Sequence, residues 1–253
     1  MAAPTQRFSN RVDNYVKYRP SYPGESIDFL EQEAHLSKQS LIADIGSGTG
    51  IFTRLLLDKG YTVYAVEPNE AMRNSAEEQL NGYPDFHSVN GTAEDSTLDK
   101  KSADLIVCAQ AFHWFDQEKT KIEFKRILKP GGQVALIWNN RQIEIDAFAV
   151  AYELLLQQQG SDYKEVNHRN ITDVNFSNFF KGGKYKVAKY NNVQVFDVNG
   201  LIGRAFSSSY IPPKETEAGQ AFLVELKALF EQYQTGGSVN FVYQAEVYLG
   251  KIY

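Results

Sequence analysis

The sequence predicts an α/β fold, doubly wound around a mostly parallel sheet. Three observations carry this. Short apolar, β-favouring runs recur between residues 41 and 140, helix-period segments separate them, and a glycine-rich turn follows the first run directly. The runs are Leu41 to Ile45, Thr62 to Val66, Phe86 to Val89, Asp104 to Ala109 and Gln133 to Trp138. Their near-continuous hydrophobicity suits strands covered by helices on both faces.

Between the runs, Ile51 to Lys59 reads as a helix stopped by Gly60, and Glu70 to Leu80 as a helix capped by Asn69. Asp116 caps a third helix running to Leu128, and Pro130-Gly131-Gly132 ends it. After residue 141 the rhythm changes. Apolar positions 148, 152, 155 and 156 form one helical face ending near Gly160, and positions 222, 226, 229, 230 and 233 another ending at Gly236-Gly237. Tyr185 to Val198 and Val239 to Ile252 read as strands, and the helical material between them is expected to cover the carboxyl edge of the sheet.

Composition narrows the partners. The chain of 253 residues is long enough for one substantial core, and a net charge of -5 gives no general attraction to nucleic acid or to an anionic membrane. The single cysteine, Cys108, sits in the apolar run LIVCA, which excludes a disulfide framework and a thiolate metal cluster. The opening MAAPTQRFSN lacks the apolar stretch of a secretory signal, and no apolar run reaches the length of a membrane span. A cytoplasmic protein with a small-molecule partner, monomeric or homodimeric, is therefore expected. His35, His87 and His168 form no spaced pair, so no metal is expected.

The chemistry concentrates in LIADIGSGTGIF, residues 41 to 52. Gly46, Gly48 and Gly50 allow a sharp turn and a close approach of backbone to a ligand. A dinucleotide fingerprint would place a third small residue at position 51, which is Ile51, and a phosphate-binding Walker loop would need Lys and then Ser or Thr there. The loop therefore suits a compact nucleoside without phosphate. Glu67, at the end of the second run, faces the ligand crevice of such a sheet, where its two oxygens can accept from both ribose hydroxyls. That role serves nicotinamide and other nucleoside cofactors alike. In GTAEDS, residues 91 to 96, either Glu94 or Asp95 can accept from an adenine amine.

Taken in order, ADIGSGTG, AVEP, GTAED, ADLIVCAQAFHWF and RILKPGG with ALIW resemble the class I S-adenosylmethionine-dependent methyltransferases. The set is especially similar to the small-molecule branch, methyltransferase type 11, that includes trans-aconitate methyltransferase-like proteins. The resemblance covers about residues 8 to 141. It implies a seven-stranded Rossmann-like methyltransferase sheet with an antiparallel C-terminal strand and a helical elaboration. The whole chain, 1–253, would form one domain, with a helical lead-in over 1–40, a cofactor-binding core over 41–141, and substrate-side helices with closing strands over 142–253.

By the same resemblance the cofactor is S-adenosyl-L-methionine, leaving as S-adenosyl-L-homocysteine. Asp44, Gly46, Ser47 and Gly48 would hold its methionine portion, Glu67 with Pro68 the ribose, and Ala93, Glu94 and Asp95 the adenine. Gln110 and Ala111 would flank the sulfonium. The lead-in VDNYVKYRPSYP would bring Tyr15 and Arg19 to the methionine carboxylate, which a guanidinium grips with two bonds, and Tyr22 to the pocket. FDVNGLIGRAFSSSYIPP is similar to a substrate-side segment of some relatives.

The implied reaction is an in-line displacement that carries the methyl group to a small-molecule acceptor, of which a carboxylate is one type. Its main demand is alignment of the nucleophile. His113 has two readings, a general base or a packed wall of the pocket beside Trp114. Trp138, Asn140 and Arg141 leave the fifth strand near the same crevice, Arg141 being a candidate clamp for an acidic substrate, and Tyr210 and Arg204 are further candidates. Two other functions stay open from sequence: a non-catalytic or regulatory S-adenosylmethionine-binding protein, and a nicotinamide-dependent oxidoreductase, which Ile51 disfavours.

Overall fold

The computed structural model describes residues 11–163 and 171–253. His168 and the N-terminal MAAPTQRFSN lie outside these described residues. Seven strands form one sheet in the order β3-β2-β1-β4-β5-β7-β6. They are β1 (Leu41–Ile45), β2 (Thr62–Val66), β3 (Phe86–Val89), β4 (Ala103–Ala109), β5 (Leu128–Arg141), β6 (Lys186–Phe196) and β7 (Val239–Gly250). β1 to β5 are mutually parallel, β7 runs antiparallel to β5, and β6 runs antiparallel to β7. The order reverses between β1 and β4, which opens a crevice beyond their carboxyl ends, the usual ligand position in such sheets.

The helices between the parallel strands start where their caps put them. In α4 (Glu70–Leu80) the Asn69 side chain accepts from the Met72 amide, and in α5 (Gln117–Ile127) Asp116 accepts from Lys119. α3 (Ile51–Asp58) starts instead from Gly50 in the left-handed region, at φ 80°. One correction concerns Pro130-Gly131-Gly132. The helix ends at Ile127 and the strand begins at once, so these residues lie inside β5 as an irregularity of its pairing with β4, where Leu128 faces Ala103 and Gln133 faces Leu105. Gly131, at φ 88°, supplies the backbone conformation that such a bulge requires.

Buried side chains fill both faces of the sheet. Ile106, Cys108, Val134 and Leu136 pack beneath Phe112, Phe124 and Phe179 on one face; Ile42, Val63, Leu105, Val107 and Ile137 pack beneath Ile27, Leu30, Phe52 and Leu56 on the other. A further apolar cluster joins α6 (Ala147–Gln159), α8 (Val198–Phe206) and α9 (Glu217–Tyr233) to the start of β7. Among the described residues no helix is long and apolar enough to cross a membrane.

The lead-in forms α1 (Val12–Tyr18) and α2 (Gly24–Glu33). α1 is strapped to the C-terminal end of α8. Arg11 donates to the carbonyls of Ser208 and, at 2.7 Å, Ile211; Arg19 donates to the Ser207 carbonyl at 3.0 Å. Guanidinium groups at a helix C-terminus satisfy orphan carbonyls and meet the negative end of its dipole. The Tyr18 ring lies so close to Gly203 that a Cβ there would stand 2.0 Å from it. Gly203→Ala is therefore expected to displace α1 and to cost about 1 to 3 kcal/mol, as overpacking does. Urea denaturation measures the loss, and faster proteolysis near residue 20 reports the detached strap.

Candidate active site

A cavity of about 340 Å³ lies beyond the carboxyl ends of β1, β2, β4 and β5, with residues of the α1–α2 segment among its walls. Gly46, Ser47, Gly48, Glu67, Pro68, Ala93, Glu94, Gln110, Ala111, His113, Trp114, Tyr15, Arg19, Tyr22, Arg141, Arg204 and Tyr210 all line it. Chain positions from 15 to 210 thus converge on one space.

The glycines after β1 serve distinct purposes. Gly46, at φ 73°, packs so closely on the loop after β4 that an added Cβ would stand 2.6 Å from the Ala111 methyl. Gly50 packs on α4, where a Cβ would meet Leu80 at 2.7 Å. The space at Gly46 and Gly50 is thus claimed by protein rather than ligand, and Gly50 does the helix packing that a dinucleotide fingerprint would assign to position 51. Gly48 differs: its nearest neighbour is the flexible Met72 methyl at 3.5 Å, so its φ of 58°, not crowding, selects glycine.

Glu67 holds this turn. One carboxylate oxygen accepts from the Gly48 amide at 2.9 Å and the other from the Asn69 amide at 2.8 Å. Each oxygen keeps lone-pair capacity for a hydroxyl. Burial raises the Glu67 carboxyl above its ordinary value, and the two amide bonds and Arg73 oppose the rise. Asp44 lies one layer below, fully buried, and its Oδ2 accepts from the Thr53 hydroxyl at 2.6 Å. It pins α3 to β1 and does not line the cavity. Burial pushes its carboxyl up to about 7 against the Thr53 hydrogen bond, and Glu67 adds to the rise.

The structure separates Glu94 from Asp95. Glu94 lines the cavity and accepts from the Asp116 amide at 2.9 Å, whereas Asp95 is exposed and faces away. Gln110 follows β4 at φ 57°, an uncommon conformation for a residue with a side chain, of the kind stored at functional sites. The bond from its amide to the Ile137 carbonyl at 2.8 Å holds it there.

At the far end of the cavity stand Arg19, Arg141 and Arg204 with Tyr163, Tyr210 and Tyr243. Arg141 pairs with Glu153 at 2.5 Å and lies over the Tyr152 ring. Trp138 and Asn140, expected beside Arg141, are not in this cavity. Alternation along β5 sends Asn139 to it and turns Trp138 and Asn140 to the opposite face, where they line a second hollow of about 570 Å³, and Arg141 at the strand's end borders both. Sequence reasoning missed Asn139, Met72, Tyr163 and Tyr243. The alternation of β5 was the available signal for Asn139, and the N-terminal turn of α4 for Met72. Tyr163 and Tyr243 reach the cavity only through tertiary packing.

Residues 43–136 match the family model described as Methyltransferase domain. Over 134 residues the chain is 39% identical to an uncharacterized methyltransferase of Mycobacterium tuberculosis, covering 53% of this chain and 52% of the relative. It thus spans about half the length of the mycobacterial relatives it matches. An uncharacterized methyltransferase of Schizosaccharomyces pombe is 26% identical over 242 residues, 92% of each chain. A solved structure from Anaeromyxobacter dehalogenans superposes with a TM-score of 0.72 at 22% identity, over 93% of this chain and 98% of that one, which shows a shared fold. Sheet order, the glycine turn and an acid at the end of β2 are the features that the resemblance to class I S-adenosylmethionine-dependent methyltransferases implied. Over residues 43–136 the chain is thus similar to methyltransferase domains.

Asp44 makes stability depend on pH. Its folded-state value near 7 lies above the unfolded value of about 4, so between these limits the folded chain holds an extra proton. Stability therefore falls as pH rises through this window and levels above it. Asp44→Asn removes the titration, and urea denaturation at pH 5 and pH 8 should show the variant gaining roughly 2 to 3 kcal/mol on wild type between the two.

Proposed function

We propose that the protein transfers a methyl group from S-adenosyl-L-methionine to a small molecule that enters the far end of the cavity. The observation that carries this is Glu67, aimed into a cavity at the switch point with both oxygens anchored yet able to accept more. The residues fit the cofactor. The turn after β1 offers no lysine for phosphate, Glu67 suits a ribose diol, Glu94 and Ala93 lie where an adenine edge would be read, and the buried Arg19 Nε has no partner among the described residues. A guanidinium in that position suits the methionine carboxylate.

When bound, the cofactor supplies a methyl carbon made electrophilic by a sulfonium, displaced in line. This chain's part is then to hold and orient. Glu67 and the turn fix the nucleoside, Gln110 and Ala111 close the wall between the two ends, and the tyrosine-lined far end receives the acceptor and excludes water. A carboxylate acceptor is already ionised and needs no base. The His113 imidazole packs 4.8 Å from the Trp114 ring, and we assign it to the wall. The nicotinamide reading is disfavoured because Ile51 stands where a dinucleotide fingerprint needs its third small residue.

Titration calorimetry with S-adenosylmethionine, followed by a methylation assay on a metabolite pool, tests the proposal; binding without turnover would leave a non-catalytic binding protein. Glu67→Ala is expected to weaken the cofactor by about 1 to 3 kcal/mol. Wild type should discriminate against a 2′-deoxyribose analogue and the variant should not. For His113→Asn, turnover is expected to fall less than about tenfold with an unchanged pH profile, since loss of a general base costs about 10² to 10⁴-fold. A larger fall, with loss of an ionisation from the rate profile, would make His113 the base.

A further inference from the structure

The far end of the cavity carries an unusual charge distribution. Of its three guanidiniums, Arg141 is neutralised by Glu153, which also accepts from the Tyr163 hydroxyl at 2.7 Å. Arg204 is 7% exposed and has only neutral partners among the described residues: its Nε donates to the Tyr243 hydroxyl at 3.1 Å and its NH1 to Ser208 Oγ at 3.1 Å. Arg19 reaches the same Ser208 Oγ at 3.5 Å. One buried and one half-buried cation thus share one hydroxyl, and among the described residues neither pairs with a carboxylate. Burial lowers the Arg19 value, and the Arg204 charge lowers it further.

Burying a guanidinium without a counter-ion is costly, so such a group in a cavity wall marks where an anion belongs. The neighbours of Arg204 fix its orientation. Tyr243 gives its proton to Gln194 Oε1 at 3.1 Å, leaving a lone pair for Arg204, and Gln194 in turn donates to the Tyr18 carbonyl at 3.1 Å. The guanidinium is therefore held before any ligand arrives, which spares ordering cost on binding.

Taking the proposed function as given, with Arg19 assigned to the cofactor carboxylate, one uncompensated positive charge remains for the acceptor. We infer that Arg204, rather than the ion-paired Arg141, is the specificity residue for the acceptor, and that the acceptor is a monocarboxylate whose apolar body lies among Tyr163, Tyr210 and Tyr243. A second carboxylate on the acceptor would enter this end without a counter-charge.

The test is binding measured by calorimetry with S-adenosylhomocysteine saturating, using butyrate, benzoate and cinnamate as monocarboxylates, isophthalate as a dianion, phenyl phosphate as the other oxyanion, and benzamide as the neutral control. At least one monocarboxylate is expected to bind, with benzamide, isophthalate and phenyl phosphate about tenfold or more weaker. Arg204→Gln should lower that monocarboxylate's affinity by about tenfold or more while S-adenosylhomocysteine binds as in wild type, and Arg204→Lys should recover part of it. Arg141→Gln should cost less than Arg204→Gln. The inference is overturned if no monocarboxylate binds, if isophthalate, phenyl phosphate or benzamide binds equally well, or if Arg204→Gln in folded protein loses S-adenosylhomocysteine, which would give Arg204 to the cofactor. Failure of wild type to bind S-adenosylhomocysteine at all would instead refute the proposed function.

Discussion

The site depends on one carboxylate that ties two adjacent loops. The strands β1 and β2 end side by side, and the turns that follow them each present a backbone amide to the crevice. Left alone, these donors would be buried without acceptors. Glu67 answers both with a single side chain, and by doing so it fixes Gly48 in the left-handed conformation and the first turn of α4 in its approach. The cost is a charged group held at 9% exposure. Two backbone bonds and the Arg73 guanidinium offset that cost, Arg73 itself being held by the Glu67 carbonyl at 3.0 Å. Whatever Glu67 does for a ligand, it first grips its own protein.

The two antiparallel strands extend this arrangement to the other end of the cavity. β7 continues the sheet beyond β5 and delivers Tyr243 to the cavity wall, while β6 supplies Gln194 behind it. The hydrogen-bond chain from Arg204 through Tyr243 and Gln194 to the Tyr18 carbonyl therefore crosses α8, β7, β6 and α1. Because each member has its partner, the far end is rigid by the same logic that fixes the near end.

What could be read from the sequence was what is decided locally. The strand, turn and helix around Gly46 to Gly50 and the acid at the end of the next strand are contiguous in the chain, and their chemistry is visible without the fold. The phase of β5 was not, because choosing between Asn139 with Arg141 and Trp138 with Asn140 requires knowing which face meets the crevice. Glu94 and Asp95 differ only in how one loop turns. α8 was hidden for another reason. Its sequence VNGLIGRAF carries two glycines, which weigh against a helix locally, and the packing of Tyr18 and Phe196 against those glycines overrides the preference. Tyr163 and Tyr243 depended wholly on tertiary contacts.

The strap between α1 and α8 also has a consequence for how the chain assembles. The bonds from Arg11 to the Ser208 and Ile211 carbonyls join residues 197 and 200 positions apart, and Arg19 meets Ser207 across 188. Contacts of such span repay the entropy of closing the loop only after the intervening chain is ordered. During synthesis the first helix must therefore wait, unpaired, while the whole parallel sheet emerges. The glycine turn and Glu67 can be in place long before the cavity has its far wall, so a nascent chain would possess the proposed nucleoside cradle before it possesses the proposed means of selecting an acceptor.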